Sequence, residues 1–262
     1  MFIDGSLLAN YFIWGMIFLV IASFFAGYVD SIAGGAGLIL IPAFIIAGLP
    51  PQVALGQEKL VSTVGTIAAI RNFIKSKSII WKIVPLGIIS ALIGAYLGAK
   101  LILILPTEIL TYIIFGLLPI GLLATLFKGK IAGKQQEKVG YKDAPFLIIL
   151  VCLIVGFYDG FFGPGTGSLF IICLCLINKF NLLNASATSK IFNFSSNIGA
   201  FIAFLIAGKM AFLIGIPMII ANLLGNHIGS QQAINTNGAV IKKVLVLTVI
   251  ILMVTLVFQI NK

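Results

Sequence analysis

GYVDSIAGGAGLILIP, from Gly27 to Pro42, and GFYDGFFGPGTGSLFI, from Gly156 to Ile171, decide the fold of this chain. Each sets an acid, then a glycine-rich run, then an apolar stretch. The segments downstream match as well: EKLVSTVGTI (Glu58 to Ile67) and SKIFNFSSNI (Ser189 to Ile198). Asp30 aligns with Asp159, Gly37 with Gly167 and Lys59 with Lys190, at an offset of about 130 residues. The same unit is written twice. A duplicated apolar bundle with broken helices and charges inside the membrane is the pattern of a transporter.

The 262 residues are 60% hydrophobic and only 9% charged, and the mean hydropathy is +1.18. The runs Leu7–Gly27, Ile83–Leu105, Ile109–Phe127, Ala144–Phe162 and Val240–Ile260 are each about long enough to cross a ~30 Å hydrocarbon core. The start, MFID, has no basic stretch, so no cleaved signal peptide is expected. The fold expected is all-α: a polytopic helix bundle of two repeats, with about eight full spans plus two half-helices or re-entrant segments, or about ten crossings.

A net charge of +10 in a soluble chain would suggest nucleic acid, but here the charges lie between spans, and the partner expected is the lipid bilayer. Arg71, Lys75, Lys77 and Lys82 flank one connection; Lys128, Lys130, Lys134, Lys138 and Lys142 fill another. Both read as cytoplasmic by the positive-inside rule. The second is the polar linker 129–143, which divides the chain into a first repeat, 1–128, and a second, 144–262. Cys152, Cys173 and Cys175 lie in apolar segments and form neither a disulfide framework nor a metal site, so no cofactor or metal is expected.

The pieces 37–48 and 167–178 hold about 12 residues, or ~18 Å of helix, too little to span alone. Such segments are tolerated in a bilayer only where protein or a wet cavity surrounds them. Five crossings per half would make the repeats inverted, and four would make them parallel. Half-helices favour the inverted arrangement.

The glycine breaks are the candidate binding site. Gly34, Gly35 and Gly37 in the first, and Gly163, Gly165, Thr166 and Gly167 in the second, immediately precede a helix. Glycine lets consecutive amides point at one spot, and a helix start adds unpaired donors and partial positive charge. Gly94/Gly98 and Gly225/Gly229 suit close helix packing instead. Lys59, Ser62 and Thr66 form a polar stripe on one helix face; Lys190, Asn193 and Asn197 form its counterpart. The stripes suggest a shared cavity in which the lysines balance an anion. Asp30 and Asp159 read as helix caps or partners of the lysines, and with Glu58 as candidates for proton coupling. Glu58 has no acidic mate, since Ser189 stands in its place. The lone His227, beside Asn222, Asn226 and Gln231, suits polar packing or cavity lining rather than catalysis.

GGAGLILIPAFIIAGLPPQVALGQEKLVSTVGTIAAIRNF, PLGIISALIGAYLGAKL and GFYDGFFGPGTGSLF together resemble the sulfite exporter TauE/SafE family of membrane permeases, over nearly the whole chain. The resemblance implies a multi-pass protein of the bacterial cytoplasmic membrane that moves small sulfur anions such as sulfite, thiosulfate or sulfonates. The second glycine motif departs from an all-glycine form at Pro164 and Thr166. An anion channel or a membrane scaffold is the alternative. An intramembrane aspartyl protease is weaker, because FYDG at Phe157–Gly160 lacks its Gly-x-Gly-Asp partner.

Overall fold

The computed structural model describes residues 2–107, 109–110, 112–114, 116–119, 121 and 144–235. The linker 129–143, the span expected at 240–260 and residues 122–127 of the expected span 109–127 lie outside them. The described residues form helices and no strand. They are α1 (Leu7–Asn10), α2 (Phe12–Ala33), α3 (Ala36–Ala47), α4 (Pro51–Lys75), α5 (Val84–Leu103), α6 (Pro145–Phe161), α7 (Thr166–Asn178), α8 (Leu182–Ile206) and α9 (Phe212–Asn235), with one 3₁₀ turn at Trp81–Ile83. Described residues between 107 and 121 are also mostly helical.

Local chemistry sets the ends. Pro51 and Pro145 stand in the first turns of α4 and α6, where a missing N–H costs nothing. Asn181 caps α8 by accepting from Asn184 N at 2.8 Å. Gly34 ends α2 in the left-handed region (φ 73), with its N–H on Asp30 O at 2.7 Å. The expected run Leu7–Gly27 begins differently: Tyr11 (φ −137, ψ 61) interrupts it, so α1 is a single turn and the long helix runs from Phe12 to Ala33.

Among the described residues, four helices are long and apolar enough to cross a membrane: Phe12–Ile32, Trp81–Leu103, Leu182–Ile206 and Phe212–Asn235. α4, with 25 residues, equals α8 in length but carries Glu58, Lys59, Arg71 and Lys75. α3, α6 and α7 are shorter apolar helices. Large apolar side chains face outward in rows, Ile89, Ile93 and Leu97 on α5 and Ile216, Ile220, Leu224 and Ile228 on α9, while charged and amide side chains are buried inside. That distribution suits a hydrocarbon solvent.

The halves interleave. α5 packs against α6 and α8, α9 packs against α2 and α4, and α4 meets α8 at the centre. Small residues permit the approach: a Cβ at Gly94 or Gly98 would strike the carbonyls of Leu153 or Phe157, and one at Gly225 or Gly229 those of Phe24 or Tyr28. α4 and α8 run antiparallel. Ile80 N, beyond the end of α4, donates to Thr188 Oγ1 near the start of α8 (3.0 Å); Ala211 N, beyond the end of α8, donates to Gln57 Oε1 near the start of α4 (3.1 Å). α2 and α3 form a hairpin, because Ile3 N, just ahead of α1 and α2, donates to Gly48 O at the end of α3 (2.9 Å). All of α3 from Ala36 to Phe44 is buried, as a helix too short to span must be.

Candidate functional site

The two glycine breaks meet. A Cβ added at Gly34 would sit 2.5 Å from Gly167 Cα, and one at Gly167 equally close to Gly34 Cα, so the backbones touch where α2 turns into α3 and where α7 begins. Only glycine allows this, and Gly34, Gly163 and Gly165 also have φ of 73, 100 and 84. Beside the contact lies a polar cavity of about 10 Å³, room for roughly one water molecule.

Its wall combines both halves. The first break supplies Gly34, Gly35, Ala36 and Gly37, and the second supplies Gly163, Gly165, Thr166 and Gly167. α4 adds Glu58 and Ser62, α8 adds Asn193 and Asn197, and the acids Asp30 and Asp159 complete it. First-turn residues of α3 and α7 therefore border the space, where helix starts present unpaired donors. The ends differ: Asp30 Oδ1 accepts from Ala36 N at 3.4 Å, so an acid already faces the start of α3. Around α7, Thr166 Oγ1 donates to Gly163 O at 2.5 Å and Tyr158 Oη to Pro164 O at 2.8 Å, which fixes the loop.

Lys59, Lys190 and Thr66 stand outside the cavity wall. Both lysines are 1% exposed or less and turn to acids of the opposite half. Lys59 Nζ lies 2.8 Å from Asp159 Oδ1 and also donates to Asn197 Oδ1 at 3.2 Å. Lys190 Nζ lies 2.8 Å from Asp30 Oδ2 and donates to Asp30 O. A buried charge needs a partner, and the nearest opposite charge takes it. The capping and pairing read for Asp30 from the sequence are both seen, but the lysines' charge is already neutralised.

Ser196, which sequence reasoning missed, donates to Asp159 Oδ2 at 2.5 Å. Its place one turn beyond Asn193 on the polar face of α8 was the available signal. Glu58 accepts from Ser62 Oγ at 2.8 Å, and its Oε2 is 3.0 Å from Lys59 Nζ. That second contact is an ion pair whose angles fall outside hydrogen-bond geometry. Three carboxylates thus share two lysines in the buried interior of the described residues. No group of three or more possible metal ligands occurs among the described residues.

Comparison with known proteins fits this architecture. Residues 19–256 match the family described as Sulfite exporter TauE/SafE. A Sinorhizobium sp. protein named "Probable membrane transporter protein ORF9" is 38% identical over 244 residues, covering 92% of each chain. "Probable membrane transporter protein" of Haemophilus influenzae is 33% identical over 231 residues, covering 87% of this chain and 89% of its own. "Probable membrane transporter protein YfcA" of Escherichia coli K12 is 34% identical over 233 residues, covering 89% and 85%. No solved structure matches.

Proposed function

The chain belongs to the sulfite exporter TauE/SafE family of membrane transporters, and from that premise we propose that it is a secondary permease for a small sulfur oxyanion such as sulfite, thiosulfate or an organosulfonate. The observation that carries the reading is the meeting of both glycine breaks, with the starts of α3 and α7, in one polar cavity inside an apolar bundle. Helix starts and glycine amides favour an oxyanion. At about 10 Å³ the cavity is too small for one, so the Gly34–Gly167 contact is a closed state that must part to admit substrate.

The antiparallel course of α4 and α8 supports inverted repeats, 1–128 and 144–262, joined by a cytoplasmic linker at 129–143. A hairpin of α2 and α3 returns the chain to the face it left, so α2 with α3, and α6 with α7, cross out and back, which makes five crossings per half. Arg71, Lys75, Lys77, Lys82 and Lys179 then gather on one face, which makes it cytoplasmic in a bacterial inner membrane. Rocking of one repeat against the other alternates access, and an ion gradient supplies the energy. Gly34, Gly35, Gly37, Gly163, Gly165, Thr166, Gly167, Ser62, Asn193 and Asn197 contact the anion. Lys59 and Lys190 act indirectly, by holding Asp159 and Asp30. Those acids sit on different lysines, which argues against a shared-proton dyad and hence against proteolysis.

Counterflow in proteoliposomes tests the proposal. Labelled thiosulfate or sulfite should enter vesicles preloaded with the unlabelled anion, saturably. Unsaturable conductance would instead identify a channel, and no movement of any sulfur anion would remove the permease reading.

A further inference from the structure

Glu58 is the charge left over once the two lysines are matched. Lys190 has Asp30, and the place of Glu58 in the other half is taken by Ser189, whose hydroxyl donates to Ser186 O at 2.8 Å. Lys59 faces two acids and donates to Asn197 and to Asp159, which also accepts from Ser196. Glu58 is left with Ser62 on Oε1 and, on Oε2, a 3.0 Å ion pair to the amino group that Asp159 holds at 2.8 Å, at the wall of the cavity. With every group ionised, the buried set carries one net negative charge, which opposes entry of an anion in a low dielectric. A single proton on Glu58 removes it.

A second asymmetry lies beside the first. Asn222, Asn226 and Ser230 stand four residues apart on α9, fully buried, where α5 carries Ala91, Ala95 and Ala99 at the aligned positions. Asn226 Nδ2 donates to Asn222 Oδ1 (2.9 Å), Ser230 Oγ to Asn226 O (2.7 Å), and Asn72 Nδ2 to Ser230 Oγ (2.8 Å). Asn72 Nδ2 also donates to the carbonyl of the exposed His227 at 3.0 Å. On α4, Glu58, Ser62 and Thr66 climb in steps of one turn towards the same seam. Asn222 Oδ1 comes up against Gly65, which has no side chain to block it. Thr66 Oγ1 and Asn226 Oδ1 are buried and have no hydrogen-bond partner among the described residues. Buried polar atoms in that condition are sites for water.

We infer that Glu58 takes up and releases the proton that drives anion movement, and that the α4–α9 seam joins it to water at the His227 end. The inference rests on the permease reading. One proton moves from water to the Glu58 carboxylate, the anion enters a neutralised site, and the proton returns to water on the other face after the anion leaves. The charged groups around Glu58 are Lys59 on its own helix, Asp30 from α2, Asp159 from α6 and Lys190 from α8; α3 has no titratable group, α7 only the thiols Cys173 and Cys175, and α9 only His227.

Proteoliposomes carrying a lumenal pH dye test it, with labelled thiosulfate as the probe. For the wild type, an inward proton gradient should drive accumulation and protons should enter with the anion, while a Na⁺ gradient has no effect. Glu58→Gln should lose gradient-driven accumulation and proton movement, and the thiosulfate–thiosulfate exchange it retains, at whatever rate, should no longer depend on pH. Asn226→Leu should slow gradient-driven uptake and leave exchange unchanged; it carries the test if Glu58→Gln fails to fold. Proton-driven accumulation persisting in Glu58→Gln, unaltered uptake in Asn226→Leu, or drive by Na⁺ would overturn the inference while exchange leaves the permease reading standing. Absence of exchange for every sulfur anion removes both.

Discussion

The amino group of Lys59 on α4 lies 2.8 Å from Asp159 Oδ1 on α6, and the aligned Lys190 on α8 lies the same distance from Asp30 on α2. Each half thus supplies the counter-ion for the other. The two broken helices are held against the central pair by crossed ion pairs, at the level where the glycine breaks touch.

Breaking one bond of this cross should cost more than surface charges would. Lys190→Met leaves Asp30 buried without its partner, a loss of about 3–5 kcal/mol. Asp30→Asn should also destabilise, and the double variant should lose much less than the sum. Thermal unfolding in detergent measures this coupling; additive losses would show that the two groups do not act as a pair.

Glycine at the closed contact is required by space as well as by dihedral angle. Gly34→Ala adds a methyl against Gly167 at a residue with φ 73, so expression and transport should both fall. Gly208→Ala provides the control, since φ is 67 but nothing lies within 4 Å of the added carbon. It should cost only about 1–2 kcal/mol of backbone strain.

Helix contacts outside the cavity should be equally intolerant where carbonyls approach. Gly225→Leu would drive a side chain into Phe24 O and separate α9 from α2, lowering the yield of folded protein. Gly116→Ala meets nothing within 4 Å and should be silent by fluorescence-detected size-exclusion chromatography.

Asn193 separates binding from folding. It lines the cavity, and its side chain makes no hydrogen bond among the described residues. Asn193→Leu should therefore keep the wild-type unfolding temperature without ligand and lose anion transport. Unchanged transport would place the substrate elsewhere.

Much of this arrangement was legible because its signals are local. Glycine-rich runs followed by about 12 apolar residues fix α3 and α7, which begin within a residue of the position read from the sequence. Gly94, Gly98, Gly225 and Gly229 mark close helix contacts for the same reason. The partners of the lysines were not legible. Charge and spacing show that Lys59 needs an acid, but only the tertiary arrangement brings Asp159 rather than Asp30 to it. The lysines were expected to face the anion, whereas both are paired with acids that line the cavity and neither lines it itself. The interruption at Tyr11 also gave no sign, because the apolar run continues through it.

Ligand-dependent stability tests the shared anion site most directly. In detergent, sulfite or thiosulfate should raise the unfolding temperature of the wild type, the added stability reaching about 2.7 kcal/mol at a hundredfold excess over Kd and growing with the logarithm of concentration beyond it. Chloride at equal ionic strength should not, and Asn193→Leu should abolish the rise. An unmoved midpoint across the whole panel of sulfur oxyanions, or an equal rise in Asn193→Leu, would contradict the account.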